Sequence, residues 1–271
     1  MIPAAFEYAT AASVDEAAEH LRRYGEDAKV LAGGQSLIPL MRLRLAQPSA
    51  LVDIGRIAGL DGIRRENGTL VVGALVRHVD IPASEVVRSS LPLLAQVASD
   101  LGDNQVRNLG TVGGVIAHGD AAGDYNALAL MLDAEIVTSK RTHRAADFYR
   151  DVFTTALEPD ELVTEVRFPV ATGAHAYVKF RRRLFDWAIA GVAVQQTDSG
   201  WRVGYVNLAN TPRRGTAVEE ALAQGASPTA AAAACGAAID PAGDVRATAE
   251  YKRALATVIT RRALETATAG G

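Results

Sequence analysis

Residues 30–38 read Val30-Leu31-Ala32-Gly33-Gly34-Gln35-Ser36-Leu37-Ile38. A short apolar run ends in two glycines, and Ser36 stands ahead of a new apolar stretch. This predicts a strand over 29–32, a turn at Gly33-Gly34 and a helix starting near Ser36. Upstream, Ser13 and Glu16 have capping-box spacing, and Val14, Ala17, Ala18 and Leu21 fall on one helical face that Gly25 can end. Helix, strand, glycine turn and helix in succession are the signature of an α/β unit.

The pattern continues outward. A buried strand is expected at 51–54. Asn67-Gly68 joins strands 63–66 and 69–73, because both positions of a two-residue hairpin turn need positive φ. An apolar helix is expected at 91–101 and a second glycine-rich loop at 108–114. Asp124 is placed as the cap of a helix over 125–132, with strands at 135–138 and 162–168. Residues 171–175 read as a linker. Beyond it come strands at 177–180, 188–197 and 201–208, the last two forming a hairpin at Asp198-Ser199-Gly200. Alanine-rich helices follow at 214–224, 228–238 and 247–268. The boundary falls at 174, dividing the chain into 1–174, with two α/β parts, and 175–271, an antiparallel sheet carrying helices. The fold class is α+β.

The 271 residues are 49% apolar and 22% charged, the proportions of an ordinary soluble globular protein. The net charge of −3 argues against a dedicated nucleic-acid binder. Cys235 is the one cysteine, so the chain holds no internal disulfide, thiolate zinc site or iron–sulfur cluster of its own. A cytoplasmic setting is expected. No basic start followed by an apolar stretch marks a signal peptide, and no run nears the ~18–20 apolar residues of a membrane span.

Four stretches can carry chemistry. In 30–38, glycines let successive N–H groups converge on an anion, with the Ser36 hydroxyl and a helix start beside them. The same pattern also serves as a plain strand-to-helix turn, and three spaced glycines or a P-loop lysine are absent. The second stretch, Asn108-Leu-Gly-Thr-Val-Gly-Gly-Val115, repeats the glycine and hydroxyl theme, and two such loops suit a ligand with two phosphates. In His118-Gly-Asp-Ala-Ala-Gly-Asp124 no second histidine stands at ligand spacing and no nucleophile elbow is present, so neither a metal site nor a hydrolytic triad is expected. In Lys179-Phe-Arg-Arg-Arg-Leu-Phe-Asp-Trp187, an extended strand would point Lys179, Arg181 and Arg183 the same way, with Trp187 close by as a flat surface.

Taken together, Ala-Gly-Gly-Gln-Ser-Leu at 32–37, Gln-Val-Arg-Asn-Leu-Gly-Thr-Val-Gly-Gly at 105–114, Asp124 and Glu-Leu-Val-Thr-Glu-Val-Arg-Phe-Pro at 161–169 resemble the FAD-binding subunit of molybdenum hydroxylases. Those are the xanthine and carbon monoxide dehydrogenase relatives. The resemblance continues through Lys179, Arg183 and Asp186 and into the tail at 244–253 and 260–264, so it spans essentially the whole chain.

The resemblance implies a two-part FAD-binding domain of the type those enzymes share, followed by their small C-terminal domain. It implies FAD as the cofactor of this chain. A large partner would hold molybdenum–pterin, a small partner two two-iron clusters, and the heterotrimers would pair as dimers. Electrons would pass from the clusters to FAD and on to an external acceptor. Leu31, Ala32, Gly33, Gly34, Gln35, Ser36, Leu37 and Ile38 would cradle the FAD diphosphate from one side. Thr111, Val112, Gly113, Gly114 and Val115 would do so from the other. Leu101, Asp124, Leu162 and Lys179 match further FAD contacts, and Trp187 matches an aromatic beside the flavin ring. Against the family pattern, Gln35 stands where many relatives have His, Val115 where others have Asn or Ser, and Leu109 where a basic residue is common. A stand-alone flavin oxidoreductase and a non-catalytic assembly subunit are the alternatives.

Overall fold

The computed structural model describes residues 2–270. Ser13 caps the Val14–Tyr24 helix, its Oγ accepting from the Glu16 N–H at 3.1 Å, while Glu16 Oε2 reaches back to the Ala12 N–H at 2.7 Å. The helix packs on a parallel sheet whose strands Glu7–Thr10, Ala50–Asp53 and Lys29–Leu31 lie in that order, so the middle strand comes last in sequence. Ala17, Ala18 and Leu21 meet Val52 and Ile54 in its core.

A second sheet is antiparallel, with strands Ile63–Glu66, Thr69–Gly73, Val163–Pro169, Glu135–Thr138 and Thr142–Arg144 in spatial order. The pairing Glu66↔Thr69 leaves Asn67 and Gly68 as the turn, at φ 47° and 79°. Leu70, Val72, Ile136, Val166 and Phe168 face the helices Pro92–Ser99, Val112–His118 and Asp124–Met131. The third sheet, also antiparallel, runs His175–Phe180, Ala190–Thr197, Gly200–Val206, Arg213–Arg214 and carries the helix Ala249–Ala269 through Leu255, Ile259 and Leu264. This is the α+β architecture expected. Among the described residues no helix is long and apolar enough to cross a membrane.

Three local expectations are corrected. Residues 108–114 are not a loop: the helix Asn104–Leu109 ends at Gly110, and Thr111 caps a new helix, Val112–His118. Glycine disfavours helix, but a Cβ on Gly113 would fall 2.5 Å from Ala74 Cβ, so packing overrides propensity. Asp124 does not cap its helix. Gly123 occupies that position and Asp124 is the first helical residue, its carboxylate turned to the third sheet. The 171–175 stretch is pinned rather than free, with Ala171 N–H on Ser90 O at 2.9 Å and Gln196 N–H on Ala174 O at 2.7 Å. Tyr177, Ala188, Ala193 and Val206 bury themselves with the helices and strands of the first part, so one core runs across residue 174.

Candidate cofactor cleft

The parallel strand Lys29–Leu31 delivers the chain to Gly33 and Gly34, and Gly34 takes φ +70°, which favours glycine. The Ile38 N–H then closes on Gly34 O at 3.0 Å to open the helix Leu37–Arg42. Between these events the N–H groups of Gly33, Gly34, Gln35, Ser36 and Leu37 find no acceptor among the described residues. The Gln35 side chain holds the turn, Nε2 donating to Gly33 O at 3.0 Å. Gly33 tolerates no side chain: a Cβ would lie 2.3 Å from Leu109 O and 2.7 Å from Gly110 Cα. The two glycine segments therefore touch.

The second segment spends its donors on the protein. Val112 N–H goes to Val76 O at 3.0 Å, Gly113 N–H to Ala74 O at 2.9 Å, Gly114 N–H to Thr111 Oγ1 at 3.2 Å and Val115 N–H to Thr111 O at 3.2 Å. Within this segment only the Thr111 N–H finds no acceptor among the described residues. Arg77 pairs across to Thr111 as an antiparallel bridge and its guanidinium donates to Leu109 O.

Between the segments lies a cleft of about 730 Å³. That is within the ~300–1,000 Å³ of typical small-molecule sites. Ala32, Gly33, Gly34, Gln35, Ser36, Leu37, Thr111, Gly113, Gly114, Val115 and Leu162 line it. Leu31 and Ile38 flank Gly34 instead, and Val112 is buried in the core. Leu101, Asp124, Lys179 and Trp187 lie outside the lining.

Four further lining residues carry chemistry that the motifs did not single out for the cleft: His78, His118, Phe153 and Glu161. His78 is buried with no partner for Nδ1. Burial, then the nearby Arg77 and Arg107 charges, push its pKa down to about 4. Burial lowers His118 as well, so both imidazoles are neutral near pH 7. Burial pushes the Glu161 carboxyl up, but hydrogen bonds from the Thr138 hydroxyl at 2.5 Å, the Glu158 N–H at 3.0 Å and His143 at 3.1 Å hold it below the usual range. His78 and Phe153 have no local sequence signal, whereas His118 and Glu161 fall in stretches noted above without a role in the cleft. His118 ends the Val112–His118 helix that already walls the cleft, and the other three are brought in from elsewhere in the chain.

The basic run does not form one row. The strand ends at Phe180, Lys179 Nζ is buried 3.0 Å from Asp124 Oδ2, and Arg181 Nη1 lies 2.6 Å from Asp100 Oδ1. The Tyr177 hydroxyl donates to the other Asp124 oxygen. Burial pushes the Asp124 carboxyl upward, against the pull of Lys179 and of the Tyr177 hydrogen bond. Trp187 is exposed, with the Arg246 guanidinium 5.3 Å from its ring centre.

The family model described as the FAD binding domain in molybdopterin dehydrogenase matches residues 4–171, and that described as the CO dehydrogenase flavoprotein C-terminal domain matches 175–267. The carbon monoxide dehydrogenase medium chain of Hydrogenophaga pseudoflava is 43% identical, covering 98% of each chain. The caffeine dehydrogenase subunit beta of a Pseudomonas species is 32% identical, over 97% of this chain and 95% of that one. Among solved structures, carbon monoxide dehydrogenase from H. pseudoflava superposes with a TM-score of 0.94 at 43% identity over 99% of each chain. Quinoline 2-oxidoreductase from Pseudomonas putida 86 superposes at 0.93 with 28% identity, over 100% of this chain and 99% of that one.

Proposed function

The chain belongs to the family of FAD-binding medium subunits of molybdopterin dehydrogenases, and from this we propose that it is the electron-transferring flavoprotein of a three-chain molybdenum hydroxylase. It is an oxidoreductase subunit with an FAD-binding domain. In the proposed assembly a large chain holds molybdenum–pterin, a small chain holds two two-iron clusters, and two heterotrimers pair.

The observation that carries this reading is the row of five free N–H groups from Gly33 to Leu37, facing a cleft of cofactor size. The residues present fit FAD. A diphosphate needs several donors converging from one side, and the loop offers them beside a helix start. Gly33 lets the two segments approach without a side chain between them, and Gly110 makes room for the His78 ring. With His78 and His118 neutral, backbone dipoles rather than cations of these histidines would meet the charge.

We assign Ala32 through Leu37 to the diphosphate, with Thr111, Gly113, Gly114 and Val115 closing the opposite wall and Leu162 the far side. Leu31, Ile38 and Val112 hold these segments in shape from behind. Leu101, Asp124, Lys179 and Trp187 are assigned to the junction beyond the cleft, where Asp124 and Lys179 fix each other in place. Bound FAD supplies a carrier that takes up an electron pair and releases it to an external acceptor. The names of the relatives run from carbon monoxide to caffeine and quinoline, which accords with a substrate chosen on another chain.

The test is the visible absorption spectrum of the purified chain, followed by acid release of its chromophore. A flavin spectrum with FAD released is expected. A colourless chain that takes up no added FAD would sink the reading.

A further inference from the structure

At the end of the Val112–His118 helix the rings of His118 and Phe153 come together, centroids 4.9 Å apart and planes 35° from parallel. Both line the cleft. Phe153 is unusual twice over. It is a large apolar side chain left 57% exposed, and its φ is +52°, in the left-handed region that bulky residues avoid. Its turn is braced to hold that conformation: Val152 N–H donates to Asp151 Oδ1 at 2.8 Å, and the Thr154 hydroxyl to Val152 O at 3.1 Å. Behind the pair, a Cβ on Gly119 would fall 2.8 Å from Thr155 Cγ2, so the helix end and the 149–155 hairpin are seated on each other.

Strained backbone persists where the surrounding structure over-determines it, and such outliers gather at ligand sites. The location says which ligand. Gly114 and His118 share one helix, four residues or ~6 Å of rise apart. The aromatic pair thus stands one turn along from Gly114, in the wall opposite the donor-rich loop. A flat apolar surface beside an anion cradle matches a molecule in which a planar ring is tethered to phosphate.

We propose that His118 and Phe153 form a stacking platform for one of the two planar rings of the dinucleotide taken up by this cleft. This rests on the FAD reading above and names residues for it that the glycine motifs do not include.

The test uses the full chain with FAD, ADP, FMN and inorganic pyrophosphate as separate probes in equilibrium titrations. Phe153→Gly is expected to bind FAD about tenfold more weakly, the scale of one lost ring stack. Its melting temperature without ligand should rise, because glycine takes this φ without strain. Phe153→Tyr should keep the parent affinity. ADP and FMN identify the ring: one loses the same factor, the other and pyrophosphate do not change. The platform is overturned if Phe153→Gly binds FAD as the parent does, or if all four probes weaken alike, or if affinity and melting temperature fall together. In each of those cases the parent still binds FAD and the functional reading stands. A parent that takes up no FAD removes both.

Discussion

At Gly33 a missing methyl group decides the geometry of the cleft. A Cβ there would meet two backbone atoms, Leu109 O and Gly110 Cα, and backbone cannot swing aside as a side chain can. Gly33→Ala is expected to cost roughly 1–3 kcal/mol of stability, the range for overpacking, and to abolish FAD uptake. Denaturant midpoints and flavin content of the purified variant check both parts. His78 makes a second residue-scale prediction. Its folded pKa is about 4 against an ordinary 6.5. Between those values the unfolded chain binds the extra proton, so stability present above pH 6.5 is lost as pH falls toward 4, by roughly 3 kcal/mol. His118 adds the same sign, and Glu161 begins to lose its contribution only as pH drops below its usual 4.5. His78→Gln should flatten this limb; equal pH slopes for variant and parent between pH 6.5 and 4.5 would refute it. The sequence displays Gly33 plainly, yet not its reason, which lies 76 residues away at Leu109. His78 is opaque for the same cause: its burial comes from Gly110 and Tyr125 across the fold.

Secondary structure separates what local chemistry determines from what packing imposes. The hairpin at Asn67-Gly68 and the helix capped by Ser13 are legible because turn and cap residues act within four positions. The order of the parallel sheet is not legible, since placing Ala50–Asp53 between two earlier strands depends on long crossovers. The helix at Val112–His118 shows the conflict most clearly. Two glycines argue for a loop, but Gly113 allows the contact with Ala74 and Thr111 supplies the cap. Thr111→Ala should cost about 1 kcal/mol and weaken FAD binding, while Thr111→Ser restores both. Thermal melts and flavin titrations of the two variants decide this. An alanine variant as stable as the parent would mean the cap adds nothing.

Over the whole molecule, the buried pair Asp124–Lys179 ties a helix of the first part to a strand of the second, with Tyr177 on the remaining carboxylate oxygen. Asp124→Asn leaves a buried cation unpaired and should destabilise by about 3–5 kcal/mol. Adding Lys179→Met to it should recover much of that, because two neutral partners need no mutual compensation. Calorimetry of the single and double variants tests the coupling; additive losses would count against it. The same scans bear on cooperativity. With Tyr177, Ala188, Ala193 and Val206 sharing the first part's core, both parts should melt in one transition. The sequence marked a change of texture near 174 but gave no sign of this shared core, because each apolar residue looks alike whichever neighbour it meets.

That continuity bears on how such chains can be recombined. A chimaera spliced at 174 from two relatives would ask one parent's Tyr177 and Lys179 to find the other's Asp124, and one parent's Gly204 to fit against the other's Ala127, where a Cβ would lie 2.8 Å from the carbonyl. A crossover at the Gly200 tip keeps Asp124, Tyr177 and Lys179 in one parent but still divides Gly204 from Ala127, and one at the Gly68 tip divides Gly33 from Leu109. The exchangeable unit of this protein is therefore larger than either of its domains.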